Sequence, residues 1–282
     1  MDFKKFSELI MIEQTLFALP FAYLGVLFAG GGDILTWVWV TIALIAARVA
    51  GMSFNRVIDA DIDAKNPRTK DRLLPRGEAT RGEVLMLGAG ASLVLIFVSY
   101  MLNSLCYYLS FVAVILLFTY SYFKRFSAGS HLYLGFVEAA APIGGYLAVS
   151  GSFELTPFVL GVAIMAWIAG LDVVYAIQDM EFDRRENLHS IPVKYGREKA
   201  LKISLALYVV SLAALIGGGI LTVRGTAYWV TVLCVVLIFY RQQTLARRQD
   251  IETAILEFFE INRYVSPILF VGTFIDVFQK WW

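Results

Sequence analysis

The chain has 282 residues, is 59% apolar, and balances 24 Lys and Arg against 23 Asp and Glu. A soluble domain is about 45–50% apolar; here the excess falls in separate stretches of about twenty residues, the length of helix that crosses a hydrocarbon core, which excludes an ordinary soluble globule. A net charge of +1 provides no basic field to attract nucleic acid.

In chain order the apolar stretches predict nine transmembrane helices, at about 12–30, 35–54, 83–102, 105–123, 131–150, 156–176, 202–222, 226–241 and 263–279. The expected fold is an all-α polytopic membrane protein, one transmembrane domain over residues 1–282. The first stretch is too long and lacks a small-residue cleavage site, so it reads as a span and not a cleaved signal peptide. Cys106 and Cys234 fall inside spans and read as small apolar packers.

Charge fixes the expected orientation. Lys and Arg favour cytoplasmic loops. With nine spans, 21 of the 24 fall on one face, Arg224 and Lys280 on the other, and Arg48 inside the second span. The N-terminus is expected in the cytoplasm and the C-terminus outside.

Directly behind the second span stands "NRVIDADID", residues 55–63, and behind the sixth stands "YAIQDMEFD", residues 175–183. Asp59 and Asp179 are 120 residues apart, as are Asp63 and Asp183. This predicts two parallel four-helix repeats, about 10–125 and 130–242, plus a final helix at 263–279, with a site at the repeat interface. Residues four apart share a helix face. Asn55, Asp59 and Asp63 therefore form one stripe, and Asp179 and Asp183 another, with Tyr175 one turn earlier. Asp61 and Glu181 point elsewhere and are expected in solvent.

Four converging carboxylates repel one another and call for a cation. Mg²⁺ suits them, because it is a hard ion usually held by a few carboxylates together with substrate phosphates. His131 and His189, the only histidines, read as solvated loop or capping residues. Lys70, Arg72, Lys124, Arg125 and Lys194 lie on the same membrane face as the aspartates, and carboxylates, Mg²⁺ and Lys/Arg together suit a diphosphate.

Ionisable groups at membrane depth usually face a cavity or a partner. Arg48 stands seven residues before Asn55 and Asp172 seven before Asp179. That is close to two helical turns, about 10 Å below each acidic stripe. Arg48 could hold an acceptor carboxylate and Asp172 could orient or deprotonate a phenol. The bland alternative is a buried Arg48–Asp172 or Arg48–Glu13 pair that only fixes packing. Glu138 in the fifth span is a further charge at depth.

These residues carry a resemblance. The chain resembles the UbiA superfamily of intramembrane prenyltransferases over nearly its full length. Asn55, Arg56, Asp59 and Asp63 match the family's first motif, N-[DR]-x-x-D-x-x-x-D; Asp179 and Asp183, preceded by Tyr175, match its second. "KNPRTKDRLLPRG", with Arg72 in the usual arginine position, and "YSYFKRFS" are similar to its loops. The resemblance implies nine helices around a central cavity with a lateral opening to the bilayer. It implies Mg²⁺ joining the motif carboxylates to an allylic polyprenyl diphosphate, whose departure leaves a carbocation that an aromatic ring attacks. It adds Tyr175 to Asp172 and Arg48 as a catalytic residue, and Asn55 to the substrate-binding set.

Within the superfamily, "IEQTLFALPFAYLG" looks most like the bacterial quinone branch, which prenylates 4-hydroxybenzoate or a carboxylated naphthalene diol in ubiquinone and menaquinone synthesis. A bacterial-type cytoplasmic membrane is implied. Leu73, Leu74 and Gln14 depart from the usual pattern, Gln14 standing where close relatives often have His. Haem, chlorin or glycerol-phosphate lipid acceptors stay open, and a transporter is the competing non-enzyme class.

Overall fold

The computed structural model describes residues 3–248 and 251–279. Every regular element among them is helical. A short α1 (Phe3–Ile10) leads into α2 (Ile12–Phe28), α3 (Ile34–Asp63) and α4 (Arg81–Leu102). Then come α5 (Ser104–Thr119), continued by a 3-10 turn over Tyr120–Arg125, α6 (Ser130–Ser150), α7 (Leu155–Tyr175) and the short α8 (Met180–Arg185). The chain ends with α9 (Ile191–Leu221), α10 (Thr226–Leu245), α11 (Ile251–Asn262) and α12 (Val265–Gln279). Among the described residues eight segments are long and apolar enough to cross a membrane, and Phe17–Phe28 is a shorter ninth. The protein is a multi-pass membrane protein.

The helix starts follow from local chemistry. Asp33 caps α3 by accepting from Thr36 N at 2.7 Å, and Thr80 and Glu83 form a reciprocal capping box on α4. Asn103 makes the tight turn into α5 by accepting from Cys106 N at 2.9 Å. Two elements differ from the sequence expectation. Helix α9 begins at Ile191, well before the expected 202, because Ser190 caps it and Pro192 suits its first turn. Gly196, at φ 78°, then breaks the helix, a backbone angle open to glycine. The connection before the last span folds as α11, tied back to α10 by the ion pair between Arg241 and Glu257 at 2.5 Å.

Between helices in lipid, close packing replaces the hydrophobic effect as the source of cohesion. At the crossing of α2 on α6 the two backbones approach closely. A Cβ on Gly25 would sit 2.0 Å from the Pro142 carbonyl oxygen, and one on Gly145 would sit 2.0 Å from the Ala22 carbonyl oxygen. Elsewhere α3 packs on α4, α7 on both α6 and α9, and α12 on α10 and α2.

The interior is unequal in its two halves. Trp167, Tyr208, Phe239 and Phe258 fill the space among α7, α9, α10 and α11, with Phe21 of α2 edge-on to Trp167 at 5.3 Å. The corresponding space among α3, α4, α5 and α6 is faced by small residues, among them Ala43, Ala47, Gly51, Ala113, Ala140 and Gly144, and holds a cavity of about 650 Å³. The cavity is lined from both halves, by α2 to α5 and Arg68 on one side and by α6, the end of α7 and the segment to Ser190 on the other. Among the described residues, helix α7 reaches it through Asp172 and Tyr175, and none beyond Ser190 lines it.

Candidate active site

Helix α3 does not stop at the membrane-spanning stretch but continues to Asp63. Asn55 and Asp59 thus lie on its last turns at the mouth of the cavity, both lining it. Asn55 Nδ2 donates to Asp59 Oδ2 at 2.8 Å and to Ser121 Oγ at 3.0 Å. Asp59 is buried and takes Lys124 Nζ at 2.9 Å and Arg125 Nη2 at 3.1 Å. These two come from the 3-10 turn after α5. Arg125 also donates to the Ile58 carbonyl at 2.7 Å and clamps the end of α3.

The second acidic stretch is built differently. Helix α7 ends at Tyr175, a turn intervenes, and α8 starts after Asp179. Asp183 N bonds Asp179 O at 2.7 Å, which keeps the two aspartates one helical turn apart. Tyr175 belongs to the helix before the break, so the expected continuous stripe is interrupted. Tyr175, Asp179 and Asp183 all line the same cavity as Asp59.

Arg68, in the loop between α3 and α4, joins the two stretches. Its Nη2 lies 2.7 Å from Asp179 Oδ2, its Nη1 donates to the Tyr175 hydroxyl, and its guanidinium sits 4.8 Å from the Tyr175 ring centre. Asn66 Nδ2 reaches Asp179 at 3.4 Å, and Lys65 pairs with Glu186 at 2.6 Å. Sequence reasoning placed the binding arginine of this loop at Arg72 and passed over Arg68. The spacing from the motif gives no sign of which arginine crosses to the other half.

Several expected site residues lie elsewhere. Asp63 is buried but absent from the cavity wall; Arg72 folds back on it at 2.7 Å, and Thr69 bonds its carbonyl at 3.1 Å. Arg72 is thereby engaged away from the cavity. Lys70 is exposed and outside the lining, and exposed Lys194 lies 5.1 Å from its neighbour Tyr195's ring. As expected, Asp61 is solvent-facing, paired with Arg81, and Glu181 is exposed. The side chains of Glu13 and Gln14 lie outside the described residues.

Deeper in the cavity, Arg48 Nη1 donates to Glu138 Oε1 of α6 at 2.8 Å. The pair at depth is therefore Arg48–Glu138. Arg48 Nε is buried and has no hydrogen-bond partner among the described residues. Asp172 Oδ2 lies 2.7 Å from His131 Nδ1. His131, expected in solvent or at a cap, is 3% exposed and does cap a helix, its Nε2 accepting from Ile191 N at 3.2 Å. His189 is exposed.

The donor set decides what the mouth can hold. Among the described residues no ready-made cage of three His, Cys, Asp or Glu exists. The oxygen-only character of Asp59, Asp179 and Asp183 nevertheless suits a hard cation, which often takes only one or two protein carboxylates and completes its shell with phosphate oxygens. Burial, followed by the charge of Asp179, pushes the Asp183 carboxyl up to about 6. A cation would relieve that crowding. The residues fit a divalent ion beside a diphosphate.

Residues 18–264 match the model of the UbiA prenyltransferase family. The chain belongs to that family. It is 31% identical over 274 residues to the 4-hydroxybenzoate octaprenyltransferase of Edwardsiella ictaluri, covering 95% of this chain and 91% of that protein. It is 29% identical over 270 residues to the enzyme of the same name from Vibrio parahaemolyticus, covering 94% and 91%. The apo structure of a UbiA homolog from Aeropyrum pernix K1 superposes with a TM-score of 0.87 at 32% identity, covering 94% of this chain and 98% of that one. A UbiA homolog from Archaeoglobus fulgidus bound to GPP and Mg²⁺ shares the fold, with a TM-score of 0.71 at 17% identity over 97% and 99%. Membership of this family decides for a prenyltransferase over the transporter reading.

Proposed function

We propose that this UbiA-family chain transfers a polyprenyl group from an allylic diphosphate to an aromatic acid of the 4-hydroxybenzoate type, in a Mg²⁺-dependent reaction. A carboxylated dihydroxynaphthalene is the second acceptor class. The observation that carries the reading is the layering of one cavity. Asp59, Asp179 and Asp183 stand with Lys124 and Arg68 at its mouth, Arg48 and Asp172 stand below them, and small apolar residues form the remaining walls.

Asp59, Asp179 and Asp183 would hold the Mg²⁺. Bound there, the ion supplies positive charge to the leaving diphosphate. Lys124 and Arg68 bind phosphate oxygens, and Arg68 does so after exchanging its ion pair with Asp179 for the ligand. Tyr175 and Asn55 orient that end of the substrate. The apolar walls take the hydrocarbon tail and exclude water from the allylic cation; the rings of Tyr120 and Tyr175, both on the wall, offer it cation–π contact. The unpartnered Nε of Arg48 is the donor for an acceptor carboxylate, and Asp172 faces the acceptor hydroxyl.

The 21-to-2 division of Lys and Arg supports a cytoplasmic N-terminus and a mouth opening to the cytoplasm, in a bacterial-type inner membrane. The matching positions of the two acidic stretches support a repeat of two four-helix halves with α12 added. Asp59→Ala and Asp179→Ala test the reading. Each abolishes Mg²⁺-dependent turnover in protein that still runs as a folded species in detergent. Full turnover in either variant refutes it.

A further inference from the structure

His131 makes two contacts that together fix its proton. A backbone N–H can only donate, so the Ile191 N–H at 3.2 Å requires a lone pair on His131 Nε2. The single ring proton of the neutral imidazole is then on Nδ1, aimed at Asp172 Oδ2 at 2.7 Å. Ile191 opens α9, and its N–H is one of the groups a helix start leaves without an intrahelical partner. The start of α9 therefore sets the tautomer of a histidine on α6, and that histidine sets the carboxylate of α7. His131 is 3% exposed, while the Asp172 side chain is 27% exposed on the wall of the cavity.

We propose that His131 is a positioning residue for the transfer: it pins one oxygen of Asp172 so that the carboxylate's other lone pairs meet the acceptor hydroxyl. The proposal rests on the phenolic-acceptor reading above. Asp172 takes the hydroxyl proton as the ring carbon beside that hydroxyl bonds to the allylic carbon. The allylic C–O bond breaks, and its electron pair leaves with diphosphate. The bonded ring carbon then loses its own proton to restore aromaticity, the oxygen regains one, and one proton is released in all.

Two amide variants separate this role from simple helix capping. His131→Asn places an amide near the Nδ1 position, so it keeps a donor to Asp172 and gives up the bond to Ile191. His131→Gln reaches the Nε2 position, so it keeps the cap and gives up Asp172. The expected result is that His131→Asn holds kcat within about fivefold, whereas His131→Gln loses about 100-fold in kcat, the lower range for a mispositioned proton acceptor. Mg²⁺-dependent binding of a non-hydrolysable geranyl thiolodiphosphate is unchanged in both.

Asp172→Asn supplies the second arm. It shows a loss like that of His131→Gln, and combining the two changes costs no more than either alone, as expected for residues acting as one unit. The reverse order, with His131→Gln active and His131→Asn impaired, overturns the proposal and leaves His131 a helix cap. Full additivity of the double variant also overturns it. If the unmodified enzyme binds the donor analogue but prenylates no phenolic acid, the acceptor reading itself fails, and the proposal with it.

Discussion

Arg68 and Asp179, 111 residues apart in the chain, form a two-pronged ion pair, Nη2 to Oδ2 at 2.7 Å and Nε to Oδ1 at 3.3 Å. It is the principal link between the loop that follows the first acidic stretch and the start of the second. A planar fork of this kind matches a carboxylate or a phosphate equally well. The contact is one that a diphosphate can take over.

Replacing Arg68 by Ala should raise the KM for the prenyl diphosphate about 10- to 100-fold, the range for losing charge-assisted hydrogen bonds, with a smaller change in kcat. Arg68→Lys keeps the charge but not the fork and should fall between. Steady-state kinetics with varied donor reads both, and an unchanged donor KM contradicts the assignment.

The Asp183 carboxyl, raised to about 6 by burial and then by Asp179, sets a pH dependence. In the folded chain it keeps its proton up to about pH 6, while the unfolded chain has already lost it. Between the ordinary carboxylate range and about pH 6 the folded chain therefore holds one proton more than the unfolded chain, so raising the pH over that window favours unfolding and the metal-free protein loses stability. Divalent-ion affinity moves the other way and strengthens as the pH passes about 6. Thermal unfolding with chelator at a series of pH values should show the decline, and Asp183→Asn should flatten it.

Glu138 holds Arg48 at 2.8 Å. Glu138→Gln keeps the shape and removes the competing charge, so the aromatic acid should bind about tenfold more tightly, the worth of one charge-assisted contact. Arg48→Met should instead erase any preference for acid acceptors over their amides. Acceptor KM values for acid and amide test the pair.

At the crossing of α2 and α6, Gly145→Leu cannot be accommodated, since even a Cβ would meet the Ala22 carbonyl oxygen at 2.0 Å. The variant should lose the folded species in detergent or melt far below the parent. Gly144→Ala, one residue away with nothing within 4 Å of its Cβ, should melt like the parent.

Spans, acidic stretches and charged face were legible because each is a local pattern: a run of apolar residues, a four-residue spacing, a bias of Lys and Arg. The pairs that complete the site were not. Arg48 with Glu138, Asp172 with His131 and Asp179 with Arg68 join residues 90, 41 and 111 positions apart, and no periodicity in one chain selects one partner over another. The departure of Asp63 has the same origin, since the local spacing that put it in the stripe says nothing of Arg72 folding back. Placing the cavity beside α6 and away from α9 and α10 required knowing which aromatics face inward, and Trp167, Tyr208 and Phe239 look no different in sequence from those facing lipid.

The most direct test is radiolabel transfer from geranyl diphosphate by purified protein in detergent, with and without Mg²⁺, offering 4-hydroxybenzoate and 1,4-dihydroxy-6-naphthoate in parallel. Mg²⁺-dependent labelling of one of the two acids is the predicted result. Binding of the diphosphate with transfer to neither acid, or transfer that persists under chelator, would contradict the account.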